Sequence, residues 1–233
     1  MDQTPMFRFI RGTIPTMLKR GRPVLLWTVG LVMMASACAP PQVRLEPGPR
    51  EYVAADYQAV LQKWTRSDQL IALSELDDLL TVTATFESYD FRWAYVVRYA
   101  QDYRLTVDQR RRLLERTLAD AQERHQFFVA LYGTNWRWVD LNKPDSGWIV
   151  RLIDDVGNET APEEIVTIRK PGPIERTYFP YTSPWRRVYR IRFPIVTAEG
   201  HPTISNQARW FGLRFAGAQG NQELRWELEQ STR

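Results

Sequence analysis

The chain has 233 residues, 44% hydrophobic and 12% aromatic, with one cysteine and two histidines, which excludes an intrachain disulfide and a Cys/His structural zinc site. Its formal charge of +4 is unevenly placed: of 31 Lys+Arg, five (residues 8, 11, 19, 20 and 22) precede Cys38, against Asp2 alone among 27 Asp+Glu. The remainder is formally neutral, so no basic surface calls for a nucleic-acid partner.

The first element is a tripartite leader. Residues 17–23 are short and basic, residues 24–34 are an apolar run, and Ala35-Ser36-Ala37-Cys38 is a small-residue site ending in cysteine. As a helix the apolar run spans about 16 Å at about 1.5 Å per residue, too short for a bilayer core of about 30 Å. This is the order of a secretory signal, and with cysteine at the cut it resembles the lipobox of bacterial lipoprotein precursors. Ala35 stands where that family more often has Leu. The resemblance covers residues 17–39 and implies cleavage before Cys38 and a covalent lipid on that residue. Three acyl chains, at about 0.8 kcal/mol per buried CH₂, make a stable anchor. Ala39, rather than Asp, after the cysteine implies the inner leaflet of the outer membrane, facing the periplasm, for a Gram-negative source. The division that follows is residues 1–37 as signal peptide, with Met17 an alternative start, 38–50 as lipidated Cys and flexible tether, and 51–233 as one domain. Pro40, Pro41, Pro47 and Pro49 deny the tether regular structure.

In the domain, Tyr57, Val60, Leu61 and Trp64 share one helical face within residues 51–66. Residues 67–78 read either way. Leu80, Val82, Ala84 and Phe86 then alternate with Thr81, Thr83 and Thr85, predicting a strand over about 79–87 with threonines outward. An aromatic-rich helix is expected over 90–103. Thr106 and Gln109 form a capping box for a second helix reaching about Arg124, with Val107, Leu114, Leu118 and Ala121 on one face. Its charged remainder reads as a solvated face. Strands and turns follow over about 126–229, and Phe211, Leu213 and Phe215 pair with Leu224, Trp226 and Leu228 as the clearest hairpin. The expected fold is mainly β with inserted helices: an antiparallel immunoglobulin-like β-sandwich with a helical pair between its first two strands.

Candidate chemistry is sparse. Asp154, Asp155, Asn158 and Glu159 group oxygen ligands, but their spacing fits no EF-type loop and suits a turn. His125 is placed between a helix and a strand, and His201 in a Gly-His-Pro turn. No nucleophile elbow or HExxH is present. All five Met lie in the first 34 residues, which leaves the domain without thioether ligands for copper. No metal and no cofactor are expected, apart from the lipid on Cys38. The stretch best suited to recognition is Tyr178, Phe179, Tyr181, Trp185 and Arg186, where prolines bar regular sheet and aromatics stand beside arginine. Trp136 and Trp138 form a similar cluster. These residues either pack back onto the sandwich or form an interaction patch. The functional expectation is a non-enzymatic, lipid-anchored module that binds an envelope protein. Glycan or peptidoglycan binding through the same aromatics is the alternative. A hydrolase would need His125 beside a carboxylate.

Overall fold

The computed structural model describes residues 41–46, 52–72 and 77–229; the signal segment and Cys38 lie outside them. Among the described residues no helix is long and apolar enough to cross a membrane. The chain is mainly β, with two antiparallel sheets and a few helices.

Helix α1 (Tyr57–Trp64) buries the predicted Tyr57, Val60, Leu61 and Trp64, and then gives way to strand β1 (Thr65–Ala72). Within the ambiguous stretch, residues 67–72 therefore belong to strand β1, which pairs with β2 (Asp77–Phe86), and residues 77–78 begin β2. Helix α2 (Tyr89–Asp102) starts where the Ser88 side chain accepts from the Phe91 amide. Helix α3 (Val107–Glu123) starts at the predicted box, in which Gln109 N donates to Thr106 Oγ1 and Thr106 N donates to Gln109 Oε1. None of its residues is fully buried and Val107 is exposed, so the apolar stripe of α3 is only half covered.

Strands β3 (Arg124–Tyr132), β4 (Ile149–Asp154), β5 (Glu159–Thr160) and β6 (Glu164–Ile168) follow. Next come a short helix α4 (Pro173–Tyr178) and strands β7 (Arg187–Pro194), β8 (Trp210–Gly217) and β9 (Gly220–Glu227). Helix α4 was not expected between the prolines. It begins with Pro173 just inside its start, where a missing amide costs nothing, and Glu175 Oε2 accepts from Gly172 N.

One sheet has the order β1-β2-β3-β7-β6 and the other β5-β4-β8-β9. Phe86, Phe127 and Phe193 of the first meet Phe211 and Trp226 of the second, with ring centroids 5.1 Å apart for Phe86 and Phe211 and 5.5 Å for Phe127 and Trp226. The opposite face of the five-stranded sheet is also covered. There Phe128 stacks flat on Phe179 at 3.7 Å, and Phe91 of α2 packs against the same ring. Thr83 and Thr85 are buried by this second layer, which corrects the expectation that they face solvent. It also explains why residues 127–131 are all buried without alternation, since a strand covered on both faces reads as a continuous apolar run.

The tether expectation is also revised for the described part of 38–50. Val43 is fully buried and forms a parallel bridge with Leu228, donating to Glu227 O at 2.8 Å and accepting from Glu229 N at 2.9 Å.

Candidate functional site

The loop from Phe179 to Arg186 divides into two halves. Its first half is core. Tyr57 donates to Tyr178 O at 2.6 Å, and Tyr178 donates to Asp102 Oδ2 at 2.9 Å. The Tyr181 hydroxyl lies 2.7 Å from Thr85 Oγ1 and 3.2 Å from Phe128 O. Burial pushes the phenols of Tyr57, Tyr178 and Tyr181 up, which keeps each a neutral donor. A buried tyrosine needs such a partner, and here every one has it. Tyr178, Phe179 and Tyr181 thus leave the candidate surface set.

The second half is surface. Trp185 is 75% exposed, Trp136 46% and Trp138 40%. Arg186 lies beside Trp185, its guanidinium donating to Thr83 Oγ1 at 2.9 Å. Although Trp136 and Trp185 are far apart in sequence, the register brings their loops to one end of the sheet. β3 ends at Tyr132, β7 begins at Arg187, and Leu131 pairs with Arg187. Arg187 ties the loops together: its guanidinium carbon sits 4.3 Å from the centre of the Trp136 ring, its Nε donates to Trp136 O, and it pairs with Asp140 at 3.1 Å.

The loop between β3 and β4 is a built structure. Its middle is pinned by buried Val139, whose carbonyl accepts from the Tyr189 hydroxyl at 2.9 Å, and by Leu141 N donating to that same hydroxyl. Burial pushes the Tyr189 phenol up to about 12. Asn135 closes the turn that carries the tryptophans, its Oδ1 accepting from Arg137 N and its carbonyl from Trp138 N. Large side chains are therefore held outward by a rigid base.

The other candidates resolve differently. Asp154 Oδ1 accepts from the amides of Val156, Gly157 and Asn158, and Oδ2 from Asn158 Nδ2 and Ser205 N. Asp155 is occupied by Arg209 at 2.7 Å. These carboxylates organise a turn. His125 lies inside β3 beside the Phe86 ring, and burial alone pulls its pKa down to about 4, with no carboxylate contributing. His201 sits exposed in a turn. Among the described residues no group of three or more His, Cys, Asp or Glu is placed to hold a metal ion.

One cavity escaped the sequence reading. It has a volume of about 320 Å³ and lies between α2, α3, α4 and the strands β3 and β7. Phe91, Phe179 and Ile174 give it apolar wall, while Glu87, Arg92, Arg190 and Arg192 give it charge. The charges largely satisfy one another. Gln126 bridges Glu87 and Arg192 at 2.6 and 2.7 Å, Glu87 lies 3.5 Å from Arg190, and Arg92 pairs with Asp120 at 2.7 Å. No local signal marks it, because its lining comes from separate elements that only the fold unites.

Compared with protein-family models, curated proteins and solved structures, the chain matches none.

Proposed function

We propose that this protein is a non-enzymatic, lipid-anchored module of the bacterial cell envelope that binds another envelope protein through the end of the sandwich carrying Trp136, Trp138, Trp185 and Arg186. The observation that carries the reading is the exposure of three tryptophans on braced loops at one end. Exposed tryptophan beside arginine is the composition of interface hot spots. The lipid anchor rests on Cys38 and its leader, placing the protein at the outer membrane, facing the periplasm. No cofactor or nucleic acid enters the proposal.

The immunoglobulin-like reading supports it. Taking β2 to β9 as strands A, B, C, C′, D, E, F and G, the sheet orders β2-β3-β7-β6 and β5-β4-β8-β9 follow A-B-E-D and C′-C-F-G. β1 is then an added edge strand, and α2 with α3 an insertion between A and B. On this reading Trp136 and Trp138 occupy the B–C loop and Trp185 the end of the D–E loop. The B–C loop is among those that variable domains use for recognition.

A glycan is the second reading, favoured only by the aromatics themselves. Arg187 occupies one face of Trp136. A guanidinium there competes with a sugar ring for stacking, whereas a mixed aromatic–arginine surface suits a protein.

The test is a photocrosslinking amino acid at Trp185 in the full chain in cells, with Phe179 as an interior control. The expected result is one discrete heavier band from position 185 and none from 179. Absence of a band from positions 185, 136 and 138, with the protein folded and retained on peptidoglycan, would overturn the protein-binding reading in favour of the glycan.

A further inference from the structure

Alternation on β7 sends Arg190 and Arg192 to the face of the five-stranded sheet that carries Phe128, because Phe128 pairs with Arg190 and Gln126 with Arg192. That face is the one covered by Phe91 of α2 and by Phe179, so two arginines are carried under a helical layer. The cover is incomplete there. The cavity of about 320 Å³ remains between these arginines and α2, α3 and α4. Ligand pockets start at about 300 Å³, so the space suits a small molecule.

Its carboxylates are provided for. Asp120 is taken by Arg92 at 2.7 Å, and Glu175 Oε2 by the Gly172 amide at 2.8 Å. Glu87 Oε2 accepts from Gln126 at 2.6 Å, while its Oε1 lies 3.5 Å from Arg190 Nε without a hydrogen bond between them. Arg192 is held by Gln126 and by Glu164. What remains is donors. Among the described residues Arg116, which lines the cavity from α3, has no hydrogen-bond or ion-pair partner. The Arg190 side chain is 35% exposed, and beyond that loose contact with Glu87 its guanidinium hydrogen-bonds to nothing. Behind them Arg92 is only 3% exposed, and its Nη2 has no hydrogen-bond partner either. Idle N–H groups this deep favour an acceptor nearby.

We propose that this cavity binds a small amphipathic carboxylate. The Arg116 and Arg190 guanidiniums hold the carboxylate, a pairing their planar forks match in shape as well as charge. Arg92, already fixed by Asp120, adds positive potential from behind. The apolar body lies against Phe91, Phe179 and Ile174. Because Arg190 shares its charge with Glu87, the surplus is close to one positive charge, which suits a monoanion over a phosphate. The site shares no residue with the tryptophan end and needs neither the anchor nor the protein partner proposed above.

Isothermal titration calorimetry of the full chain with 3-phenylpropionate, 3-phenylpropanol and inorganic phosphate tests this. The expected result is saturable one-to-one binding of the carboxylate, at least about tenfold tighter than the alcohol, as the loss of a charge-assisted hydrogen bond implies. Arg116→Gln, at an exposed position, should weaken the carboxylate by about fivefold or more and leave the alcohol unchanged. Arg190→Gln should do the same from the strand side. Ile174→Trp fills the cavity and should abolish binding of both, with urea unfolding verifying that each variant is folded. Three results with the folded wild type overturn the proposal: no uptake of carboxylate, equal affinity for carboxylate and alcohol, or tighter binding of phosphate. Carboxylate binding untouched by both Arg116→Gln and Ile174→Trp also overturns it, since the ligand would then sit elsewhere.

Discussion

Phe179 and Trp185 are six residues apart in one loop and should respond oppositely to the same substitution. Phe179 is buried, stacked on Phe128 at 3.7 Å with ring planes 5° apart, and touches the Phe91 ring with centroids 5.7 Å apart. Truncating a buried phenylalanine to alanine costs about 3–5 kcal/mol through lost transfer energy and the cavity left behind. The aromatic pairs add about 0.5–1.5 kcal/mol. Phe179→Ala should therefore cost about 4 kcal/mol, a large part of the 5–15 kcal/mol by which domains of this size are typically stable. Trp185→Ala should change stability by less than about 0.5 kcal/mol, as surface substitutions do, while abolishing the crosslink of the partner. Urea unfolding followed by far-ultraviolet circular dichroism measures both, with Phe179→Leu as a volume-sparing control that should recover more than half of the loss. If Phe179→Ala unfolds within about 0.5 kcal/mol of wild type and Trp185→Ala costs several, the division of this loop into core and surface halves is wrong.

Acidification offers an independent check on the core. The His125 pKa is pulled from its usual 6.5 down to about 4 by burial, so the unfolded chain binds the proton first. Stability should be intact above pH 6.5 and fall as pH drops toward 4, by at most about 3 kcal/mol because the ring keeps partial solvent access. His125→Gln should flatten that part of the pH–stability curve in urea titrations. Asp154→Ala removes the carboxylate that accepts from five N–H donors, of which Gly157 N keeps the Asp154 carbonyl as a second acceptor. It should cost about 2–4 kcal/mol, and calcium addition to the wild type should leave its melting temperature unchanged. In Gly217→Ala the new Cβ would lie 2.1 Å from Gly147 O. About 1–3 kcal/mol of destabilisation follows from that clash, and proteolysis should first open the loop that carries Trp136 and Trp138.

Local chemistry was legible in the sequence and coverage was not. The Thr106–Gln109 box, the hairpin of β8 and β9 and the aromatic helix α2 each declare themselves within a few residues, and each formed as expected. The threonines of β2 misled because alternation reports one apolar face. Whether the other face meets water or a second layer depends on α2, α4 and the loop to Arg186, which are distant in sequence. The same limit applied to the recognition stretch. Composition marked Tyr178 to Arg186 as one aromatic cluster, but the hydroxyl partners that sort it, Asp102 and Thr85, lie far upstream. Val43 was hidden by its neighbours, since one valine among prolines carries no periodicity and its partner strand comes at the other end of the chain.

The ordering of strands along each sheet has a consequence for crowding. A domain held to a surface meets its own copies in two dimensions, where unpaired strand edges find one another most readily. β1 lies alongside β9, with Arg66 donating to Arg225 O, so that flank of the two sheets offers a neighbour instead of an open ladder. On the opposite flank β5 has two residues, and β6 has five between Pro162 and Pro171, with Glu163 before it, Glu164 as its first residue and Arg169 and Lys170 after it. Short strands bracketed by proline and charge make poor templates for a further strand. With the proposed anchor at Cys38 holding many copies to one membrane, these short and flanked edges would keep the copies from pairing strand to strand.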